Sequence, residues 1–154
     1  MTKDKVSGKV IAVCSSKTKG VRKQVIPEGI IKENFGMEGD AHADSKWHRQ
    51  VSLLAVESIN KMRAMGYDVN PGDFAENLTC EGIDLPSLPI GTKLAVGKDV
   101  LLRISQIGKE CHTGCAIFKL VGKCVMPKEG VFAEVIRGGK VRANDEIRLE
   151  DDNT

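Results

Sequence analysis

The sequence predicts a mostly-β, single-domain protein, and three observations carry that prediction. Glycines fall at short, regular intervals (Gly8, Gly20, Gly29, Gly36, Gly39, Gly66, Gly72, Gly82, Gly91, Gly97, Gly108) with short apolar runs between them. That is the pattern of many short strands joined by turns, in a barrel or a sandwich. The chain has 154 residues, the size of one domain, and a chain of that size buries roughly 70% of its unfolded surface without a disulfide or metal staple. Its 41% hydrophobic and 29% charged residues are the balance of a folded protein, not a disordered one. No repeat, low-complexity segment or linker divides the chain, so one domain is expected, with a core over about 8–149 and an acidic tail over 150–154.

The elements follow in order. Val6 to Val13 is a β-branched run and reads as an opening strand. From Val56 the pattern changes: Val56, Ile59, Met62 and Met65 recur three apart, Glu57 and Lys61 stand four apart, and Gly66 follows as a stop, which predicts a helix. Gly91 to Val96 and the alternating run Val100 to Ile107 are split by Gly97-Lys98-Asp99, a hairpin connection. A second short helix is expected over about Cys115–Val121, ended by Gly122. Val131 to Ile136, Gly138-Gly139 and Val141 to Leu149 read as a closing hairpin.

Composition also excludes function classes. Six aromatic residues are too few for a base-stacking surface, and a net charge of +2 is too small for a general polyanion binder, so no nucleic-acid partner is expected. No run approaches the roughly 20 apolar residues of a membrane span, and Met1-Thr2-Lys3-Asp4-Lys5 leads into no signal-peptide core. A cytoplasmic protein without a membrane partner is the expectation. Five cysteines, an odd number without a secretory signal, read as thiols and not as a disulfide framework. Residues 1–24 hold Lys3, Lys5, Lys9, Lys17, Lys19, Arg22 and Lys23 against Asp4 alone. This run is either a solvated face or an attractor for a phosphorylated small molecule.

Three blocks have residue types suited to chemistry. In Gly36-Met37-Glu38-Gly39-Asp40-Ala41-His42, backbone N–H groups could turn toward an anion, His42 could titrate or coordinate, and Arg49, in the following Trp47-His48-Arg49-Gln50, could grip a phosphate. The plainer account is a tight turn capped by Asp40, with Arg49 paired locally. In Gly72-Asp73-Phe74-Ala75-Glu76-Asn77-Leu78-Thr79, Asn77 could read a heterocycle edge or bond its own backbone. In Gly108-Lys109-Glu110-Cys111-His112-Thr113-Gly114-Cys115, a cysteine stands in a polar, basic, glycine-flanked loop, where Lys109 and a helix N-terminus would raise its thiolate fraction. Cys14 and Cys80, in apolar runs, read as core filler. Cys111, His112, Cys115 and Cys124 total four possible zinc ligands, but their spacing lacks the second compact pair of a structural zinc site. Oxidative pairing of Cys111 with Cys115 is a further alternative.

Taken together and in this order, the blocks resemble the MOSC family, the domain found at the C-terminus of molybdenum cofactor sulfurases and as a stand-alone protein. The matching pieces are Gly39-Asp40-Ala41-His42, Arg49 to Leu54, Gly72 to Thr79, Gly82-Ile83-Asp84-Leu85, Gly91 to Leu94, Cys111, Gly130 to Ile136 with Gly138-Gly139, and Asn144-Asp145. The resemblance implies a β-barrel of the pyruvate kinase β-barrel kind with one or two short helices. It implies that Cys111 is the reactive residue, carrying sulfur as a persulfide or ligating molybdenum of the pterin cofactor. Asp40, His42, Arg49 and Asn77 match positions around the family's cofactor cleft, with Lys109 beside the cysteine. The family's loop often reads Pro-Cys where this chain has Glu110-Cys111, and Cys115 and Cys124 remain alternative thiols. The pyridoxal-phosphate desulfurase domain of the fused enzymes is missing from this chain. The implied role is therefore a carrier of molybdenum cofactor or sulfur, needing a separate cysteine desulfurase as donor and a molybdoenzyme or cofactor-synthesis protein as recipient. The alternative is a molybdenum-cofactor-dependent reductase of N-hydroxylated compounds.

Overall fold

A computed structural model describes residues 7–18, 21–108 and 129–150. Eleven strands, one α-helix and one turn of 3-10 helix account for the regular structure of these residues. The strands are β1 (Ser7–Ser15), β2 (Gln24–Ile26), β3 (Glu28–Lys32), β4 (Gly36–Met37), β5 (Val51–Ala55), β6 (Leu78–Glu81), β7 (Lys93–Val96), β8 (Val100–Ile107), β9 (Val131–Arg137), β10 (Gly139–Arg142) and β11 (Glu146–Glu150). Helix α1 (Val56–Ala64) follows β5 directly, and the 3-10 turn is Leu85–Ser87.

Seven strands close into a mixed barrel. Hydrogen bonding runs β1-β11-β7-β8-β9-β5-β6 and returns to β1, with Gly8 opposite Ile147 on one side of β1 and Val10 opposite Cys80 on the other. Closure leaves no open edge within the ring. Every pairing in it is antiparallel except β5 with β6, where Leu53 faces Leu78. A parallel pair needs a long crossover. Helix α1 and the loop to Asn77 provide it, which is why a helix interrupts an otherwise strand-rich sequence. Outside the ring, β2 extends the far end of β1, and β10-β3-β4 forms a small second sheet.

The core divides along β5. Leu53 points into the barrel with Val10, Val13, Leu78, Leu102, Val131 and Ile147. Leu54, its neighbour, faces outward beneath α1 with Ile59, Met62, Val69, Phe74 and Phe132. Burial on both faces explains why Val51-Ser52-Leu53-Leu54-Ala55 shows no polar alternation. Each fully buried Leu or Phe here contributes about 1.5–3 kcal/mol of hydrophobic stabilisation.

The helix over Val56 to Met65 is present, ending at Ala64 with exposed Met65 as its C-cap. The hairpin at Gly97-Lys98-Asp99 is present as β7–β8. The closing hairpin needs correction. β9, β10 and β11 follow one another in sequence, yet β9 pairs with β8 and β5, β10 with β3, and β11 with β7 and β1. The run of apolar residues and turns marks the strands but not their partners, and closing the ring requires the last strand to reach the first. The expected helix over 115–121 and the tail beyond Glu150 lie outside the described residues. No described helix is long and apolar enough to cross a membrane.

Candidate functional site

The loop from Glu38 to Gln50, between β4 and β5, presents two polar clusters. At its start the chain turns at Gly39, whose φ of +84° suits glycine and whose missing Cβ would meet nothing within 4 Å. Asp40 follows with its side chain wholly buried. Its Oδ1 accepts from Lys23 Nζ at 2.8 Å, from Ser16 N at 3.0 Å and from Ser15 Oγ at 3.3 Å, while Oδ2 accepts from His42 N at 3.0 Å. Burial alone would raise the Asp40 pKa, but the Lys23 ammonium and these donors outweigh it and hold the carboxyl below its ordinary range. Lys23 is also wholly buried, and its Nζ lies 2.9 Å from Nδ1 of half-buried His42. Asp40 therefore does cap its turn, and it also carries a buried ion pair.

Lys23 is placed by the second block. Gly72 has φ +90°, and a Cβ there would stand 2.3 Å from the Lys23 carbonyl oxygen, so only glycine lets the two backbones meet. Lys23 N donates to Gly72 O at 2.8 Å. Glu76, fully buried, accepts from Gly72 N and Thr79 Oγ1 through Oε2, whereas Oε1 has no partner among the described residues. Burial raises its pKa, with those bonds opposing. Burial, with the nearby Glu76 charge, pushes the Cys14 thiol up to about 12, and burial raises Cys80 further. Both cysteines are inert core residues, as their apolar settings predict.

Asn77 does not line a cleft. It is fully buried, its Oδ1 accepts from Ser52 N at 3.0 Å, and its Nδ2 donates to Cys14 O at 3.1 Å. Standing just before β6, it ties that strand to β1 and β5, so of the two uses its amide suits, the bonds it makes among the described residues are those to the backbone and to Ser52. Phe74, in the same block, is a core residue.

The second cluster joins the end of the loop to the base of the cysteine segment. Arg49 lies between two rings, its Cζ 4.4 Å from the Trp47 centroid and 5.1 Å from that of Phe132. Its Nε donates to Gln106 Oε1 at 2.9 Å, and His48 Nε2 reaches the same oxygen at 2.8 Å. Gln106 Nε2 in turn donates to Gly108 O at 2.7 Å. The partner of Arg49 is thus remote in sequence, and its two Nη groups make no hydrogen bond among the described residues. Trp47, 47% exposed, leaves part of its ring open. Lys109, Cys111, His112, Cys115 and Cys124 lie outside the described residues, and with them the zinc and disulfide alternatives. Among the described residues no group of three or more His, Cys, Asp or Glu side chains could hold a metal ion.

Beside Asp40 a cleft of about 570 Å³ is lined by Ser15, Ser16, Lys17, Arg22 and Gly39 among others. Glu38 also lines it but pairs with Lys32 at 2.8 Å, which leaves two cations, two hydroxyls and an unobstructed glycine backbone to suit an anionic group such as a phosphate. Lys23 and Gln106 are the residues that sequence reasoning missed. The basic run groups Lys23 with solvated lysines, and nothing in the strand pattern marks Gln106 apart from its place two residues before Gly108.

The family model described as the MOSC domain matches residues 9–148. Among solved structures, the YuaD protein from Bacillus subtilis superposes with a TM-score of 0.77 at 19% identity, over 95% of this chain and 97% of that one. YiiM from Escherichia coli gives 0.67 at 20% identity, over 94% and 70%. YiiM from Geobacillus stearothermophilus gives 0.69 at 16% identity, over 94% and 75%. These likenesses establish the shared fold. No curated protein matches the chain significantly.

Proposed function

Because the chain belongs to the MOSC domain family, which is associated with the molybdenum cofactor, we propose that it binds that cofactor or carries a sulfur atom as a persulfide on Cys111, and delivers it during maturation of a molybdoenzyme. The observation that carries this reading is the convergence on Gln106. His48 and Arg49, from one sequence block, meet the side chain whose amide also holds Gly108, three residues before Cys111.

The residues present fit the group. A pterin cofactor brings a phosphate and a flat, acceptor-rich ring. The cleft beside Asp40 offers Lys17, Arg22, Ser16 and the Gly39 backbone to the phosphate. Arg49 offers its outer guanidinium nitrogens, pre-oriented by Trp47, Phe132 and Gln106. Cys111 supplies the thiolate, favoured by Lys109 beside it in sequence. When bound, the cofactor would supply a soft metal centre suited to a thiolate ligand. For sulfur loading, the Cys111 thiolate attacks the outer sulfur of a donor persulfide; the donor S–S bond breaks and the donor leaves as a thiolate.

Anaerobic incubation with a cysteine desulfurase and free cysteine, followed by intact-mass measurement, tests the sulfur arm. One added sulfur atom, absent from Cys111→Ser and passed on to an acceptor molybdoenzyme, is the expected result. An adduct that persists in Cys111→Ser assigns the sulfur to another thiol and overturns the role given to Cys111.

A further inference from the structure

Strand β8 changes face part-way along. Val100, Leu102 and Ile104 point into the barrel core in the usual two-residue alternation, which would carry Gln106 inward next. The next residue packed on that core is instead Ile107. The register against β9 gives the cause. Ile104 lies opposite Ala133 and Gln106 opposite Phe132, so Ser105 is an extra residue, a β-bulge. A slip of one residue turns the following side chains to the other face. Gln106 therefore shares the outer face with Phe132, over whose ring the Arg49 guanidinium lies. Ser105 Oγ donates to His48 O at 2.7 Å, so both bulge residues grip the segment that carries Arg49.

The Gln106 amide has one orientation that satisfies its partners. An arginine Nε carries a hydrogen and no lone pair, so the atom 2.9 Å away is the amide oxygen. The amide nitrogen then donates to the Gly108 carbonyl at 2.7 Å. Gly108 is itself fixed, because its N–H donates to Gly130 O at 2.7 Å, next to the first residue of β9. The acceptor for Arg49 is thus held by the barrel backbone, independently of Arg49.

We propose that Gln106, turned outward by the bulge, is a positioning residue for Arg49: its oxygen occupies Nε, so that the two outer nitrogens are presented together to an oxyanion. A guanidinium with Nε engaged meets a phosphate or carboxylate end-on, through Nη1 and Nη2. That this oxyanion belongs to a pterin cofactor rests on the reading above, whereas the hold of Gln106 on Arg49 does not.

Gln106→Met keeps the side-chain length and removes the acceptor, while Gln106→Glu keeps an acceptor oxygen. Proton–nitrogen correlation spectra of the full chain, labelled on arginine nitrogen, report the Arg49 Nε–H, assigned by its loss in Arg49→Ala. Wild type and Gln106→Glu are expected to show it as a separate, slowly exchanging signal. In Gln106→Met it should fall in with the exposed arginines, with circular dichroism unchanged. Affinity for hydroxymethylpterin phosphate, followed by pterin fluorescence, should fall roughly tenfold in Gln106→Met, the usual loss when an orienting partner is removed. In an Arg49→Ala background the same substitution should cost nothing further. An Arg49 signal indifferent to Gln106→Met, or an equal affinity loss in both backgrounds, overturns the positioning role. A loosened signal with unchanged affinity overturns the end-on presentation. Wild type that does not bind the pterin phosphate contradicts the cofactor reading instead, and the arginine spectra still decide the role of Gln106.

Discussion

Gly72 and Lys23 meet backbone to backbone: the Lys23 N–H bonds the Gly72 carbonyl at 2.8 Å, and a side chain at position 72 would strike the Lys23 carbonyl oxygen at 2.3 Å. Gly39 has nearly the same φ but open space around it. Gly72→Ala should therefore cost about 2–4 kcal/mol, through strain plus a backbone clash, while Gly39→Ala costs only the left-handed penalty of about 1–2 kcal/mol. Urea unfolding of the two variants measures the difference, and equal costs would show that the Gly72–Lys23 contact is loose.

Asn77→Ala should lower stability by roughly 1–3 kcal/mol for each backbone group left buried without a partner, namely Ser52 N–H and Cys14 C=O. Folded Asn77→Ala protein should retain cofactor as wild type does. Normal stability with lost retention would return Asn77 to the ligand.

Two buried carboxyls should respond to pH in opposite senses. The folded pKa of Asp40 lies below its ordinary 3.8, so Asp40 stabilises the fold above that pH, and the contribution is lost as pH falls through the folded value. Asp40→Asn should thus be most destabilising near neutrality, with the gap to wild type narrowing in strong acid. The folded pKa of Glu76 lies above its ordinary 4.5, so wild type loses stability as pH rises from 4.5 toward the folded value. Glu76→Gln should gain on wild type across that rise. Thermal unfolding at a series of pH values reads both, and parallel curves for wild type and either variant would contradict the assignment.

Arg49→Ala should weaken binding of a phosphorylated pterin by roughly 1.5–3 kcal/mol, the worth of a charged hydrogen bond. Arg49→Lys should not restore it, because an ammonium cannot both stack between Trp47 and Phe132 and bond Gln106 through a planar fork. Titration followed by pterin fluorescence measures both, and an unchanged affinity in Arg49→Ala would confine Arg49 to packing.

Much of this architecture was legible in the sequence because the signals were local. Glycine spacing and β-branched runs marked strands such as β1 and β8, and the three-residue recurrence from Val56 marked α1. The pairing of β10 with β3 was not legible, since partner choice depends on closing the ring rather than on anything within Gly139–Arg142. At the site, Asp40, His42 and Arg49 stood out by residue type and motif. Lys23 did not, because a lysine is read as exposed unless its counter-charge is known, and Asp40 is 17 residues away. For Asn77 the sequence left two uses open for a complementary reason: an amide suited to a ligand is equally suited to tying three strands.

Whether Cys111 meets the cofactor is read from molybdenum and pterin content per chain, for wild type and Cys111→Ser purified anaerobically from a molybdate-fed, cofactor-producing host. Metal and pterin are expected together in wild type, with the metal lost in Cys111→Ser. Equal metal and pterin in both proteins would contradict the assignment of Cys111 as the residue that meets the cofactor.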